Sequence, residues 1–565
     1  MAAHALRGDR IVSDATRHSA ARTLSLALLT VASTGAALLL PAALGHTLDL
    51  LLARRGPEAG RWVLWCALLL CAPAVLDALD DLLTGTTGAR TTAWLRHRLL
   101  RHVLAAGPRA TARFTPGDLV TRLVGNAAHV GTAPATLAAT VASVAGPLGA
   151  IVALGLIDPW LAVTFLAGAP VLALLLRAFT RASTDCLTGY QRLQGDLAGR
   201  LVEALDGART IAAAGTADRE AARILAPLPE LSRQGHRMWH VQGRSTAQAA
   251  TVVPLLQIAV LAVAGLRLAQ GGLSVGDLLA ASRYAVLAAG VGMLVGHVNA
   301  LVHARTAADR LAEVLGAPTP AHGTRPLPTG GDGTLRLRGV TASRDGRRVL
   351  HGIDLHVPGG TTLALVGRAG SGKSLLAALA GRLADPDTGT VELDGVPLPE
   401  LGHAALRQGV TYAFARPALL GGTVGGTIAY GLTTAAPGTV RAAARAACAD
   451  DFIRRLPDGY ATPCAAAPLS GGETQRLGLA RAFAHAGRVV ILDDATSSLD
   501  APTELRIGTA LTTAVTPGTR LLIAHRPTTA SRADTVAWLE NGRIRAIAPH
   551  AHLWNDAEYR AVFDE

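Results

Sequence analysis

The segment from Gly367 to Ser374 constrains the fold more than any other part of the chain. It fits the phosphate-binding loop pattern G-x-x-x-x-G-K-[ST] at every fixed position. The apolar run 362–366 before it predicts a buried strand, and the run 375–380 after it predicts a helix. This order brings backbone N–H groups and a helix N-terminus to an anion, so we expect the loop to bind ATP. Its residues are Gly367, Arg368, Ala369, Gly370, Ser371, Gly372, Lys373 and Ser374.

Two side chains of this loop have specific expected roles. Lys373 is the only lysine in the sequence, and every other Lys or Arg residue is arginine. A compact ammonium fits inside a phosphate loop where a guanidinium does not, so we expect Lys373 to contact the β- and γ-phosphates. The Ser374 hydroxyl is a candidate Mg²⁺ ligand.

The composition indicates a membrane protein. The chain has 565 residues, of which 50% are hydrophobic, and its mean hydropathy is +0.32. The formal net charge is +12. We interpret the excess arginine as charge beside anionic membrane lipids and not as a nucleic-acid surface, because aromatic residues are few and no base-reading module is present.

Six apolar segments are long enough to cross about 30 Å of hydrocarbon as helices. They cover residues 24–52, 62–83, 133–157, 160–179, 247–268 and 278–302. Arginine concentrates in the long connections after the second and fourth segments, which predicts that these connections and both termini lie on the cytoplasmic side of the membrane. We expect this membrane to be the plasma membrane. We expect an N-terminal segment at 1–21, an all-α transmembrane domain at 22–315, a linker at 316–333 and an α/β P-loop ATPase domain at 334–565.

A second apolar run, Val489–Asp493, ends in a carboxylate about 120 residues after Lys373. An apolar strand that ends in aspartate is the usual partner of a phosphate loop, and Asp493 is a candidate Mg²⁺ ligand.

Between these two motifs, residues 469–473 read Leu-Ser-Gly-Gly-Glu. Together the motifs resemble the nucleotide-binding domain of ATP-binding-cassette (ABC) transporters, whose signature is LSGGQ. His525 matches the switch histidine of that family, and residues 497–500 match its D-loop. Segments 116–122 and 203–211 are similar to its two coupling segments. The order of the domains is that of an exporter-type half-transporter.

The resemblance implies a dimer in which two ATP molecules bridge two cassettes. Each nucleotide then lies between the phosphate loop of one chain and the signature of the other. The implied signature contacts in this chain are Ser470, Gly471, Gly472 and Glu473. Closure of the cassettes implies movement of the membrane helices between inward-open and outward-open states, with lipids and a transported substrate as further partners.

Several positions depart from the family pattern. Asp494 stands where the family has the glutamate that positions the attacking water, and its carboxylate is one methylene shorter. Ala415 replaces a glutamine that would orient water, and Arg344 replaces the aromatic that stacks on adenine. The segment 463–468 is shortened before the signature. Glu473 replaces the signature glutamine, which we regard as a milder change.

These changes fall on the residues that hydrolyse ATP at the chain's own phosphate loop. We therefore predict a heterodimer with a second ABC half-transporter, in which this chain holds ATP in a weak site and its signature completes the partner's site. A homodimer with two slow sites and a regulatory assembly without transport are the alternatives. Export of a small molecule, lipid or peptide is expected, and import on the exporter fold, as in some siderophore systems, is the alternative direction.

Three carboxylates lie in the second apolar segment, from Asp77, Asp80 and Asp81. Ionisable groups within spans are functional candidates, so these residues either line a cavity that attracts a cationic substrate, pair with Arg177 or other helices, or lie beyond the bilayer. Two alternatives, a position facing such a cavity or hydrogen bonding between helices, apply to Gln257, His297 and Asn299 in the fifth and sixth segments.

Overall fold

The structure is a computed structural model. It describes residues 2–111, 113–290, 292–344, 346–485, 487–513 and 518–564. The chain divides into two units. The first, here the membrane unit, comprises residues 1–104 and 114–317; the second, here the nucleotide unit, comprises residues 105–113 and 318–565.

The membrane unit is helical throughout. Its helices are α1 (Ala2–His18), α2 (Ala20–Leu52), α3 (Gly56–Thr111), α4 (Pro116–Thr121), α5 (Ala127–Gly131), α6 (Ala133–Ile157), α7 (Pro159–Asp206), α8 (Ala208–Ala214), α9 (Ala217–Leu225), α10 (Leu228–Ala269), α11 (Val275–Ala288) and α12 (Gly292–Leu315). The last residues of α3, from 105 onward, are assigned to the nucleotide unit. A π-helical turn, Arg122–Asn126, joins α4 to α5.

Helices lie at all six positions where the sequence predicts spans. Within the described residues, four stretches are long and apolar enough to cross a bilayer: Ala20–Leu52, Gly56–Gly107, Pro116–Ile157 and Ala217–Ala269. The start of α7 forms a shorter apolar helix, Pro159–Val171.

The sixth predicted span is not one continuous helix. Segment 278–302 is divided between α11 and α12, with a turn at residues 289–290. Gly290 and Gly292 lie on either side of the undescribed residue 291, and glycine is a poor helix former because it loses much backbone freedom on ordering. Periodic hydrophobicity alone did not reveal this break.

Polar contacts fix the ends of the apolar helices. Asp158, which is buried, caps α7 by accepting from the Trp160 N–H, and its other oxygen pairs with Arg267 Nε at 2.7 Å. At another helix end, Asp49 of α2 accepts from Ser274 Oγ at 2.6 Å and from the Gly276 N–H at 2.8 Å. Such charged groups are tolerated beside hydrocarbon because each is paired or capped.

The nucleotide unit alternates strands with helices. Its strands are β1 (Leu335–Arg344), β2 (Arg347–Val357), β3 (Thr362–Val366), β4 (Thr388–Leu393), β5 (Val396–Pro397), β6 (Val410–Phe414), β7 (Val489–Asp493), β8 (Thr519–Ile523), β9 (Thr535–Glu540) and β10 (Arg543–Ala548). Its helices are α13 (Lys373–Ala380), α14 (His403–Gly409), α15 (Val424–Ala429), α16 (Pro437–Ala446), α17 (Asp450–Ile453), α18 (Gly471–His485), α19 (Ala501–Thr513), α20 (Pro527–Ala530), α21 (His550–Leu553) and α22 (Ala557–Ala561).

In the described part of this unit, ten strands form two sheets. The central sheet has the order β10-β9-β3-β8-β7-β6, in which only the β9–β10 pairing is antiparallel. A four-stranded sheet, β2-β1-β4-β5, is antiparallel. The sequence predicted the parallel sheet and did not separate the second one.

Strand β3 is buried on both faces, which explains its continuous apolar sequence. Ala364 and Val366 pack into one core cluster with α18, whereas Leu363 and Leu365 pack into the other with α13 and β1. This double burial holds the start of the phosphate loop rigidly at the carboxyl end of β3.

Candidate nucleotide site

Four adjacent parallel strands deliver the predicted site residues to one edge of the central sheet. The carboxyl ends of parallel strands share an edge, and ligands of open α/β sheets bind outside that edge. The phosphate loop follows β3, Asp493 ends β7, His525 follows β8, and Ala415 follows β6. The fold therefore gathers motifs that are up to about 160 residues apart in sequence.

The phosphate loop is closely packed and needs its glycines. A Cβ on Gly367 would lie 2.2 Å from the Leu539 carbonyl oxygen. Gly372, which caps α13, has a φ of +105°, a conformation that L side chains rarely adopt. Ser371 Oγ is buried and has no hydrogen-bond partner among the described residues. The loop thus offers an orphaned hydroxyl and a helix N-terminus, which suit an anion such as a phosphate.

Lys373 and Ser374 are held in place at the start of α13. Lys373 is buried, and its Nζ donates to the carbonyls of Gly367 at 2.5 Å and Arg368 at 3.0 Å. Ser374 Oγ donates to Asp493 Oδ1 at 2.8 Å. The structure thereby brings the two candidate Mg²⁺ ligands into direct contact.

The electrostatics around Asp493 favour a cation. Burial raises the pKa of the Asp493 carboxyl, and the adjacent Asp494 carboxylate adds to the rise. Burial and the nearby Asp493 also raise the pKa of Tyr412, whose hydroxyl contacts Asp493 Oδ2 at 3.4 Å. A bound cation would stabilise the charged Asp493 carboxylate, and carboxylate and hydroxyl oxygens are ligands that suit a small hard ion such as Mg²⁺.

Asp494 and His525 approach each other. Asp494 Oδ1 lies 2.7 Å from His525 Nε2, which is ion-pair distance, although the angle falls outside hydrogen-bond geometry. Asp494 also has a φ of +55°, an uncommon conformation for a residue with a Cβ. The candidate base and the candidate switch histidine are therefore engaged with one another, on a backbone that is locally strained.

A buried glutamine that the sequence analysis missed connects three parts of the site. Gln475 Nε2 donates to the Ala415 carbonyl at 2.9 Å and to Ser497 Oγ at 3.0 Å. Its Oε1 accepts from the Ser498 N–H at 2.9 Å. Gln475 thus joins α18 to the loop after β6 and to segment 497–500. The sequence signal for this role is that Gln475 is a polar residue among the mostly apolar buried residues of α18, which include Leu477.

The signature residues begin α18, and Glu473 folds back over them. Its Oε2 accepts from both the N–H and the Oγ of Ser470, each at 2.8 Å. The hydrogen bond from the Ser470 backbone is the main cause that lowers the pKa of Glu473. This capping arrangement places a carboxylate where the resemblance implies a phosphate, so the Gln-to-Glu change is less neutral than the sequence suggested.

The position of Arg344 is set by the pairing of β1 with β2. The residue is exposed at the end of β1, opposite Arg347 in the β1–β2 register. A cavity of about 520 Å³ beside the loop is lined by Arg347, Arg348 and Arg368, and Arg344 is absent from its described lining. The adenine-stacking role of Arg344 stays a prediction, while the cavity supplies further positive charge beside the phosphate loop.

The comparisons with known proteins decide the family. Residues 24–289 match the family described as ABC transporter transmembrane region, and residues 350–497 match the family described as ABC transporter. An ABC transporter ATP-binding protein, RamA of Streptomyces coelicolor, is 54% identical over 536 residues, which cover 95% of this chain and 84% of that relative. The chain belongs to the ABC transporter family. Its second domain is an ABC-type ATPase that binds ATP and couples hydrolysis to transport.

Further relatives agree with this ABC transporter assignment. An ATP-dependent lipid A-core flippase of Chromohalobacter salexigens is 31% identical over 476 residues, covering 83% of this chain and 82% of that relative. A solved structure described as a bacterial Atm1-family ABC exporter with ATP bound has a TM-score of 0.83 at 24% identity. It covers 97% of this chain and 98% of that chain.

The predicted fold class is therefore confirmed. An all-α transmembrane domain of the exporter type precedes an α/β P-loop ATPase domain, and the chain is a multi-pass membrane protein. Transporters with this architecture act as dimers in a lipid bilayer.

Proposed function

We propose that this chain is the hydrolysis-impaired half of a heterodimeric exporter in the plasma membrane, with both termini in the cytoplasm. Its own phosphate loop holds ATP and turns it over slowly. Its signature completes the competent ATP site on the phosphate loop of a second half-transporter. This assignment rests on the contrast between an intact set of binding groups and an altered set of hydrolysing groups.

The observation that carries the proposal is the state of Asp494. Its short carboxylate lies 2.7 Å from His525 instead of projecting one methylene further. A misplacement of about 1 Å at a general base costs about 100-fold in rate. Ala415 compounds the loss, since its side chain is a methyl group and its carbonyl already accepts from Gln475.

The groups that bind nucleotide are complete. Lys373 and the loop amides would donate to phosphate oxygens, and α13 adds the favourable end of its dipole. Ser374 and Asp493 would hold Mg²⁺, which neutralises charge on the β- and γ-phosphates when bound. Arg347 and Arg348 beside the loop add attraction for the nucleotide. ATP occupancy without rapid hydrolysis is the expected state of this site.

The signature residues would bind the γ-phosphate at the partner's site, and the Glu473 carboxylate competes with that phosphate for Ser470. Ser470, Gly471 and Gly472 offer a hydroxyl and amides at the start of α18, a 15-residue helix. The Glu473 carboxylate must rotate away from Ser470 before a γ-phosphate binds there. The two hydrogen bonds that it loses are replaced by bonds to phosphate, so the net cost is small.

Export is the favoured direction, with a small molecule, lipid or peptide as cargo. The relative named as a lipid A-core flippase supports a lipid-like cargo, and import is the alternative. Flux measured in vesicles of both orientations separates the two directions. Transport only toward the side away from the ATPase domains supports export.

Two variants in the reconstituted complex with a second half-transporter test the division of labour. Ser470→Arg should abolish ATP hydrolysis by the complex, because it blocks the partner's site. Asp494→Asn should change hydrolysis by less than about twofold, because the own site contributes little. Loss of most activity with Asp494→Asn would overturn the proposal. Equal activity of the chain alone and of the complex would favour a homodimer.

A further inference from the structure

A cavity of about 620 Å³ lies within the membrane unit, between α2, α3, α6, α11 and α12. One wall carries the carboxylates of Asp77, Asp80 and Asp81 within about one turn of α3. Ser33 Oγ donates to Asp77 Oδ1 at 2.6 Å. Thr30 Oγ1, whose shorter bond is to the Leu26 carbonyl at 2.6 Å, lies 3.2 Å from Asp80 Oδ1. These carboxylates are thus oriented by hydroxyl groups, which carry no balancing charge.

The described lining of this cavity contains no lysine or arginine. Its one imidazole belongs to His297, whose Nδ1 is buried and has no hydrogen-bond partner among the described residues. A carboxylate within a membrane is costly unless water or a positive charge meets it. Three neighbouring carboxylates also repel one another, so a cation that enters the cavity is stabilised.

The backbone around the cavity adds hydrogen-bond acceptors. Pro147 of α6 has no N–H to donate to the carbonyl of Ser143, one turn earlier, and both residues line the cavity. Gly290, in the break between α11 and α12, lines it as well. Broken backbone at membrane depth is tolerated where it is buried or faces a water-filled space. The helix break is therefore a second, independent indication of a polar chamber.

We propose that this cavity binds a positively charged nitrogen group of the transported substrate, an ammonium or a guanidinium with N–H donors. The proposal rests on the proposed transport function and adds the substrate class. The lining also includes Leu38, Val286 and Leu287, which provide apolar contact for the rest of the molecule. The preferred cargo is thus an amphiphilic cation, and it is either a free organic amine or a peptide with an arginine or lysine side chain.

Binding to the full-length chain in lipid nanodiscs tests this site without requiring hydrolysis or transport. The probes are rhodamine 6G, a small organic cation, and the labelled tripeptide dansyl-Leu-Arg-Leu, followed by fluorescence anisotropy. Dansyl-Leu-citrulline-Leu is the uncharged counterpart of the peptide. We expect at least one cationic probe to bind, and the citrulline peptide to bind at least about tenfold more weakly than the arginine peptide if the peptide is the ligand.

The double variant Asp77→Asn with Asp80→Asn should weaken binding of the cationic probe at least about tenfold, the scale of a lost charge-assisted hydrogen bond. The matched control, Asp14→Asn with Glu58→Gln, removes the same charge from two carboxylates outside the cavity lining and should leave binding unchanged. Binding of neither cation above empty nanodiscs would overturn the proposal. So would equal binding in the double variant and the wild type.

A fluorescent ATP analogue, measured on the same samples, separates this inference from the function on which it rests. Unchanged ATP binding in the double variant shows that the nucleotide unit is folded, and an unchanged thermal unfolding midpoint of the nanodisc sample shows the same for the membrane unit, so a loss of cation binding then supports the cavity site. Absence of ATP binding in the wild type contradicts the proposed function, whereas absence of cation binding with normal ATP binding contradicts only the substrate class.

Discussion

The two halves of the nucleotide site differ in how far their chemistry is preserved. On the phosphate side, Lys373 donates to two carbonyls and Ser374 bonds directly to Asp493. On the hydrolysis side, the short Asp494 carboxylate lies 2.7 Å from His525 Nε2, and the side chain of Ala415 is only a methyl group. Both sides stand at the same edge of the same sheet, so the difference arises from side chains and not from the fold.

This contrast teaches that nucleotide binding and nucleotide hydrolysis are separable in one site. Binding depends on many backbone groups and one ammonium, which sit on rigid elements around β3. Hydrolysis depends on a few side-chain atoms whose placement must be accurate to a fraction of an ångström. A chain can therefore lose the second while it keeps the first, provided that another chain supplies the hydrolysing site.

The largest expected effect is on the phosphate side. Lys373→Ala should weaken ATP binding by about 100-fold, because a buried charge is lost and the Gly367 and Arg368 carbonyls lose their donor. Titration of the purified chain with a fluorescent ATP analogue measures this change. Arg441→Ala removes an exposed charge elsewhere on the nucleotide unit and should leave the affinity unchanged. Equal affinities for both variants would show that the loop does not bind ATP as described.

A smaller change is expected from repair of the hydrolysis side. Asp494→Glu should raise ATP turnover at the chain's own site about tenfold, measured in complexes that also carry Ser470→Arg so that the partner's site is inactive, since the added methylene extends the carboxylate toward the attacking water. Steady-state phosphate release measures turnover, and Asp494→Asn serves as the variant without a base. Addition of Ala415→Gln should raise the rate further. No gain from either change would mean that another feature limits the site.

Mutation of Gln475 tests whether ATP hydrolysis depends on the hydrogen bonds that hold the loops around the site. Gln475→Leu removes three hydrogen bonds and leaves the Ser498 N–H and the Ala415 carbonyl without their partner. The stability loss should be about 2–4 kcal/mol, accompanied by lower ATP turnover of the complex and little change in ATP affinity of the chain. Thermal unfolding and phosphate release are the measurements. Thr474→Ala, at the half-buried neighbouring position, removes only the hydrogen bond to the Ser470 carbonyl and should cost less than about 1 kcal/mol. A similar loss there would remove the special role of Gln475.

The smallest expected effect concerns the signature. Glu473→Gln removes the carboxylate that caps Ser470 and opens that position to a γ-phosphate. The ATP concentration for half-maximal activity of the complex should fall by less than about threefold, because the glutamine amide oxygen still accepts from the Ser470 N–H and only the negative charge is removed. A rise in that concentration would show that Glu473 assists the partner's site.

The sequence predicted the parts of this architecture that are local or follow from strand direction. The phosphate loop is a contiguous motif, and its contact with Asp493 follows from two apolar strands that end at one sheet edge. The role of Gln475 depends on three tertiary partners, and the turn at residues 289–290 that ends α11 is not marked by hydrophobic periodicity. The four-stranded sheet was also missed, because its strands lie on both sides of β3 in the sequence and no regular spacing marks them as a separate sheet. Whether Asp77 and Asp80 face a cavity required the lateral order of the helices, which hydropathy does not contain.

ATP turnover by the purified chain alone, in nanodiscs with saturating ATP and Mg²⁺, tests the central claim most directly. The account predicts that the chain binds ATP yet hydrolyses it at less than about 0.1 per second, well below the enzyme median of about 10 per second. Turnover at or above about 1 per second without any second half-transporter, and abolished by Asp494→Asn, would contradict it.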